Sequence, residues 1–286
     1  MVVFNYSNVK EIAKAEIVIV GVPDESKSHS NRKGTNKGPD MLRTITNEVN
    51  FFVREGIVIP ISPMRGSLKG KLIYDYGNIK RGQVYQLIFD LVSNGKIPIV
   101  IGGDHSITSS ILQAIGDFFG KIRLLYFDAH PDFVSSTKDY YGSVLTDSSK
   151  WIDFEKSLLI GTRSAELEEL ENTSNAGLEI VTPLDLKEYG ISKTLNKIKA
   201  KNINSSRSYI SIDLDCLDPA FAPGVSVPSG GGLSGIELIS LIKSAISLGI
   251  VGMDIVEFSP DFDVNNTTSL LTSRILLESI ASINSA

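Results

Sequence analysis

The chain has 286 residues, 42% apolar and 21% charged, with 28 Lys plus Arg against 33 Asp plus Glu for a net charge of −5. These proportions exclude a disordered chain, and the acidic balance leaves no basic field to gather nucleic acid or anionic lipid. The single cysteine, Cys216, excludes an internal disulfide framework and a thiolate zinc site. The longest apolar runs, Ile17–Val20 and Ile97–Ile101, fall far short of the ~20 residues that span a bilayer. No apolar stretch like that of a signal peptide occurs among the first fifteen residues, so a cytoplasmic setting without nucleic-acid or membrane partners is expected.

Short β-branched runs recur along the chain and predict strands at Glu16–Val20, Ile57–Ile61, Ile97–Ile101, Arg123–Phe127, Ser157–Gly161, Glu179–Val181, Ser208–Ile212 and Val251–Val256. Their near-continuous apolar character is that of strands buried on both faces, as in a parallel sheet covered by helices. Between them, Gln83–Ser93 places Val84, Leu87, Ile88 and Leu91 at helical spacing, and Ser234–Leu248 does the same with Leu238, Leu241, Ile242 and Ile246. Gly38-Pro39-Asp40 reads as a helix start with proline in its first turn. The alternation continues without a linker, which predicts a single α/β/α domain over residues 1–286. Asp24–Gly38 and Phe133–Lys150 read as long functional loops. Gly66-Ser67-Leu68-Lys69-Gly70-Lys71 looks like a phosphate loop, but it has three intervening residues instead of four and Leu72 in place of Ser/Thr, so it reads as a surface turn.

Chemistry concentrates just after three of the predicted strands. Gly102-Gly103-Asp104-His105-Ser106 follows the first, Asp128-Ala129-His130-Pro131-Asp132 the second, and Asp213-Leu214-Asp215-Cys216-Leu217-Asp218-Pro219 the third. Strand C-termini in a parallel sheet share one edge, where ligands of open α/β folds bind. Asp128, His130 and Asp132 alternate, as do Asp213 and Asp215, so each extended segment aims its side chains to one side. Imidazole with several carboxylates is a donor set for a divalent ion such as Mn²⁺. The four carboxylates Asp128, Asp132, Asp213 and Asp215 carry the charge that two divalent ions balance, and without ions they repel one another. A lone His beside an Asp is more often a hydrogen-bonded structural residue, and an Asp after a strand is often a turn former. Asp104 and Asp218 are assigned to that second role.

These three motifs resemble the signatures of the ureohydrolase family of arginases, agmatinases and formiminoglutamases, in their family order. Gly34 to Arg43 and Glu257-Phe258-Ser259-Pro260 resemble two further family segments, and the likeness is weakest over Asp139–Lys201. The resemblance implies a three-layer α/β/α arginase-like fold with an eight-stranded, mainly parallel sheet. It implies two Mn²⁺ ions, one held by His105, Asp128, Asp132 and Asp213 and the other by Asp128, His130, Asp213 and Asp215, activating water for attack on a guanidinium carbon. It further implies that Asp132 passes a proton to the leaving amine, that Glu257 orients the guanidinium, and that the chain forms a homo-oligomer, trimer or hexamer.

The family's further loop histidine has Tyr141 in its place, and a phenol titrates near ~10, too high to shuttle protons at neutral pH. The remaining histidine, His29, reads as an exposed residue of the polar Asp24–Gly38 loop. Ala220-Phe221-Ala222-Pro223-Gly224 resembles the agmatinase version of its motif, and Phe133-Val134-Ser135-Ser136-Thr137 lacks the asparagine that arginases use on an amino-acid head. Agmatine is therefore the leading substrate expectation. Formiminoglutamate, guanidinobutyrate and arginine stand as alternatives, as does a metal-binding member with little activity.

Overall fold

The structure is a computed structural model that describes residues 2–202 and 207–284. In chain order the elements are β1 (Ile17–Gly21), α1 (Gly38–Val49), β2 (Phe51–Arg54), β3 (Ile57–Pro60), β4 (Ile73–Asn78), α2 (Val84–Ser93), β5 (Ile97–Ile101), α3 (Ile107–Phe119) and β6 (Arg123–Phe127). There follow α4 (Val144–Ser148), β7 (Leu158–Ile160), α5 (Leu167–Asn175), β8 (Glu179–Val181), α6 (Pro183–Tyr189), α7 (Ile191–Ala200), β9 (Ser208–Asp213), α8 (Gly235–Ser247), β10 (Gly252–Val256) and α9 (Thr267–Ser282). Eight strands form one sheet in the order β4-β1-β5-β10-β9-β6-β7-β8. Every pairing in it is parallel, so the expected mainly parallel sheet is parallel throughout.

The central strands are buried residue for residue because helices cover both faces. Alternation along each strand divides the core in two. Leu125 and Phe127 of β6 join Ile210 and Ile212 of β9 in one apolar layer, packed with α8 and α9 residues such as Leu238 and Leu276. Leu124 and Tyr126 face the other layer, with Ile88 of α2 and Ile111 and Ile115 of α3. The result is the expected three-layer α/β/α arrangement.

Two expectations are corrected. Ile57–Ile61 is no sheet strand: β3 pairs antiparallel with β2 in a separate hairpin, and Ile57 and Val58 are exposed. The turn between them, Glu55-Gly56, has positive φ at both residues (51° and 78°), the conformation that matches the twist of a two-residue hairpin. The eighth sheet strand is β4, an edge strand whose alternating Tyr74, Tyr76 and Asn78 hid it from a search for apolar runs. The Phe133–Lys150 segment is also no plain loop, since it contains α4 and short 3₁₀ turns. The segment at 66–71 is a turn as expected, with the Lys71 ammonium folded in onto the Ile283 carbonyl.

Strands β5, β10, β9 and β6 lie side by side at the centre of the sheet, although they come from opposite halves of the sequence. Their C-terminal ends carry His105, Glu257, Asp213 and Asp128 respectively. The helices that follow neighbouring β5 and β10 pack on opposite faces, α3 in one apolar layer and α9 in the other, which opens a crevice at the strand ends.

Candidate metal centre

The turns after the strands are built by the carboxylates themselves. Asp128 Oδ1 accepts from the His130 N–H (2.6 Å), and Asp213 Oδ1 accepts from the Asp215 N–H (2.8 Å). Asp215 Oδ1 accepts from the Ala129 N–H at 3.0 Å, tying the second turn to the first. The first two are Asx-type contacts within a turn and the third joins the two turns, each using one carboxylate oxygen to fix a loop. The other oxygen is left pointing inward. Asp128 Oδ2, Asp132 Oδ2 and Asp213 Oδ2 stand 3.1, 3.1 and 3.2 Å from His105 Nδ1, and Asp215 Oδ2 stands 3.1 Å from His130 Nδ1.

All six sequence-predicted ligands are thus brought to one place. They form two compact triads, His105–Asp128–Asp132 and Asp128–His130–Asp215, with the donor atoms of each within 4.8 Å of one another. Asp128 belongs to both. Asp213 touches His105 but stands outside either triad. The donor chemistry suits divalent ions, and one observation tests the fit: Asp128 Oδ2 is buried and receives no hydrogen bond. A buried carboxylate oxygen without a donor is costly, and a cation shared between the triads satisfies it. The residues present fit a pair of divalent ions.

The electrostatics agree. Burial, then the neighbouring Asp132 and Asp215, raise the Asp128 carboxyl to about 7. Burial and the charges of Asp215 and Asp128 push Asp213 well above the usual carboxylate range. Burial works against the charged form of His130, but Asp215 and Asp128 outweigh it and lift the imidazole to about 12. Burial likewise opposes charge on Asp215, and there the His130 imidazole wins and lowers it. A cluster that titrates in this way lacks positive charge.

Asp132 (φ 49°) and Glu257 (φ 62°) occupy the left-handed region. Non-glycine residues are held there at a cost of about 1–3 kcal/mol, typically where a side chain must be aimed. Glu257 is buried; its Oε1 accepts from the His105 N–H at 2.8 Å and its Oε2 from the Ser226 hydroxyl. Burial raises its carboxyl to about 8 against the pull of the Ser226 hydrogen bond. Asp104 and Asp218 keep the roles assigned to them. Asp104 accepts from the Ser106 and Lys27 N–H groups, both at 3.0 Å, and Asp218 from those of Ala220 (2.9 Å) and Gly231 (2.7 Å).

A cleft of about 420 Å³ opens onto the cluster, lined among others by His130, Asp132, Tyr141, Glu166 and Glu169. Glu257 is buried and is not among its lining residues. His29 is exposed as expected, and stacks on Tyr140 with centroids 4.9 Å apart while meeting Tyr141 edge-on. Burial and the charges of Glu257 and Asp132 raise the Tyr141 phenol, so it stands protonated.

Sequence reasoning missed the groups that hold the ligands. His105 Nε2 meets the Ser211 hydroxyl at 2.8 Å, which donates to buried Asp254 (2.7 Å). Asp254 also accepts from Thr108 and Tyr209, both at 2.8 Å. Tyr126 donates to Asp132 Oδ2 at 2.6 Å. The missing signal is alternation: Tyr126 and Ser211 each sit two residues before a ligand, as polar residues inside buried strands.

A family model described as the arginase family matches residues 15–281. The chain belongs to the arginase family. It is a ureohydrolase of that family of binuclear-metal enzymes. An agmatinase from Neisseria meningitidis serogroup C (strain 053442) is 32% identical to this ureohydrolase over 279 residues, covering 92% of this chain and 86% of its own. An agmatinase from Proteus mirabilis is also 32% identical, over 274 residues with the same coverage. The crystal structure of the agmatine ureohydrolase of Thermoplasma volcanium is similar to this ureohydrolase at a TM-score of 0.83 and 29% identity, covering 99% of this chain and 94% of that one.

Proposed function

We propose that this ureohydrolase hydrolyses the guanidino group of agmatine to urea and putrescine with two Mn²⁺ ions. The observation that carries the reading is the pair of triads sharing Asp128, with its undonated Oδ2. His105, Asp128, Asp132 and Asp213 would hold one ion, and Asp128, His130, Asp213 and Asp215 the other. When bound, such a pair lowers the pKa of water enough to supply a nucleophile near neutral pH. Asp132, which lines the cleft, takes the proton toward the leaving amine. Glu257 keeps a second lone pair on each oxygen for guanidinium N–H groups, and the His105 N–H and Ser226 hydroxyl fix its orientation. Tyr141 shapes the pocket wall and keeps its proton.

The cleft supports the choice of substrate. Asp132, Glu166 and Glu169 line it, and among its lining residues there is no lysine or arginine. A substrate with two cationic ends and no carboxylate suits such walls, whereas arginine and formiminoglutamate would bring an uncompensated α-carboxylate. The family resemblance carries the further proposals of a homo-oligomer, trimer or hexamer, in the cytoplasm, acting on a small molecule and not on nucleic acid or membrane.

The test is urea release by Mn²⁺-loaded protein across agmatine, arginine, guanidinobutyrate and formiminoglutamate, with ammonia or formamide release followed for the last. Agmatine should give the highest kcat/KM by at least about tenfold, a difference of ~1.4 kcal/mol in transition-state binding. Release from another member of the panel would move the substrate assignment. Full metal occupancy with no hydrolysis of any would overturn the enzyme reading in favour of a metal-binding member.

A further inference from the structure

Tyr126 is a residue that neither the motifs nor the ligand set includes. It lies on β6 two positions before Asp128, in a strand buried throughout, with its ring in the α2–α3 apolar layer. A buried phenol needs a partner for its hydroxyl. Two acceptors are within reach: Asp132 Oδ2 at 2.6 Å and His105 Nδ1 at 3.1 Å. The phenol has one proton, and the shorter contact lies in the range of a hydroxyl donating to a carboxylate. Its ring also stacks on the His105 imidazole, with centroids 4.7 Å apart and planes 4° from parallel.

One side chain therefore grips two ligands of the first triad, Asp132 by a hydrogen bond and His105 by stacking. Among the described residues it makes no recorded hydrogen bond or ring contact with His130 or Asp215 of the second. The grip acts where aim is hardest to maintain, since Asp132 has a left-handed backbone and sits at the cleft wall.

We infer that Tyr126 is a positioning residue that sets the first ion position apart from the second, holding Asp132 in its ligating orientation through the phenolic hydrogen bond. The inference rests on the reading of the cluster as a two-ion centre. In the second position Asp215 is held instead by the Ala129 N–H, a backbone donor that a change at Tyr126 leaves in place. Outer hydrogen bonds to ligating carboxylates are worth about 10–100-fold in metal affinity, and here that effect falls on one ion alone.

The experiment is calorimetric titration of the metal-stripped full-length protein with Mn²⁺ alone, so no substrate enters the readout. The wild type is expected to bind two ions. Tyr126→Phe keeps the ring and its stacking and removes only the hydroxyl. It should weaken one binding step by about 10–100-fold, leave the other within about twofold, and leave the melting temperature of the stripped protein within about 2 °C. Tyr6→Phe, which removes the buried phenol oxygen that meets Asn50, should leave both steps unchanged. In an Asp132→Ala background the Tyr126→Phe effect should vanish, because the acceptor is gone. A wild type that binds no Mn²⁺ would sink the two-ion reading itself. A wild type that binds two ions with Tyr126→Phe unchanged, or with both steps weakened equally, or with its effect persisting without Asp132, would overturn the role of Tyr126 alone.

Discussion

Asp128 shows how a single residue trades stability for chemistry. One oxygen builds the strand-end turn, while the other is buried and undonated. An amide in its place keeps the shape and removes the charge. Asp128→Asn should therefore stabilise the metal-stripped protein by about 1–3 kcal/mol, seen as a higher melting temperature, while lowering activity by more than about 100-fold. Acid should act in the same sense. The Asp128 carboxyl rises from 3.8 to about 7 on folding, so between those values the folded state holds a proton that the unfolded chain releases. Stability of the stripped protein through this group is then greatest below pH 3.8 and is lost as pH climbs toward 7, opposite to the usual carboxylate. Thermal melts of wild type and Asp128→Asn across that range check it: the difference between them should widen as pH rises. A constant difference would contradict it.

At the level of elements, most sheet strands were legible from the sequence as short β-branched runs: β5, β6 and β8 carry the predicted bounds, and β1, β7, β9 and β10 differ by a residue at one or both ends. The hairpin and the edge strand were not legible. A two-residue turn at Glu55-Gly56 lacks the Asn-Gly or Asp-Gly signal, and β4 mixes tyrosine, aspartate and asparagine along a strand that has only one neighbour. The ligands were legible for a different reason: Asp128, His130 and Asp132, like Asp213 and Asp215, announce their side by spacing, and the parallel sheet does the gathering. Tyr126, Ser211 and Ser226 were not, because a polar residue within a strand or loop shows its partner only when a third segment arrives. The loop at 24–38 illustrates this. It is seated by the Lys27 N–H on Asp104 (3.0 Å) and by the Arg32 guanidinium on the Val225 carbonyl (3.0 Å). Gly103 lets it approach, since a Cβ there would fall 1.9 Å from the Asp24 carbonyl oxygen. Gly103→Ala should displace the loop and cost about 1–3 kcal/mol, with kcat/KM falling further than the melting temperature alone explains. Unchanged activity and stability would show that the contact is slack.

For the whole molecule, two apolar layers on an eight-stranded sheet supply the stability that lets four carboxylates crowd at its centre. Ions that bind the folded chain alone add RT ln(1 + [L]/Kd), about 2.7 kcal/mol at a hundredfold excess over Kd. For a chain of this size that corresponds to a rise of roughly 5–10 °C per ion, reversed by chelation. A melting temperature indifferent to Mn²⁺ would mean that the cluster does not bind it. More direct than any melt is a crystal of the Mn²⁺-loaded protein measured at the manganese absorption edge. Two anomalous peaks flanking the Asp128 carboxylate, one beside His105 and one beside His130, are the predicted result. Density with no anomalous signal between these side chains, in crystals where manganese is present, would contradict the account.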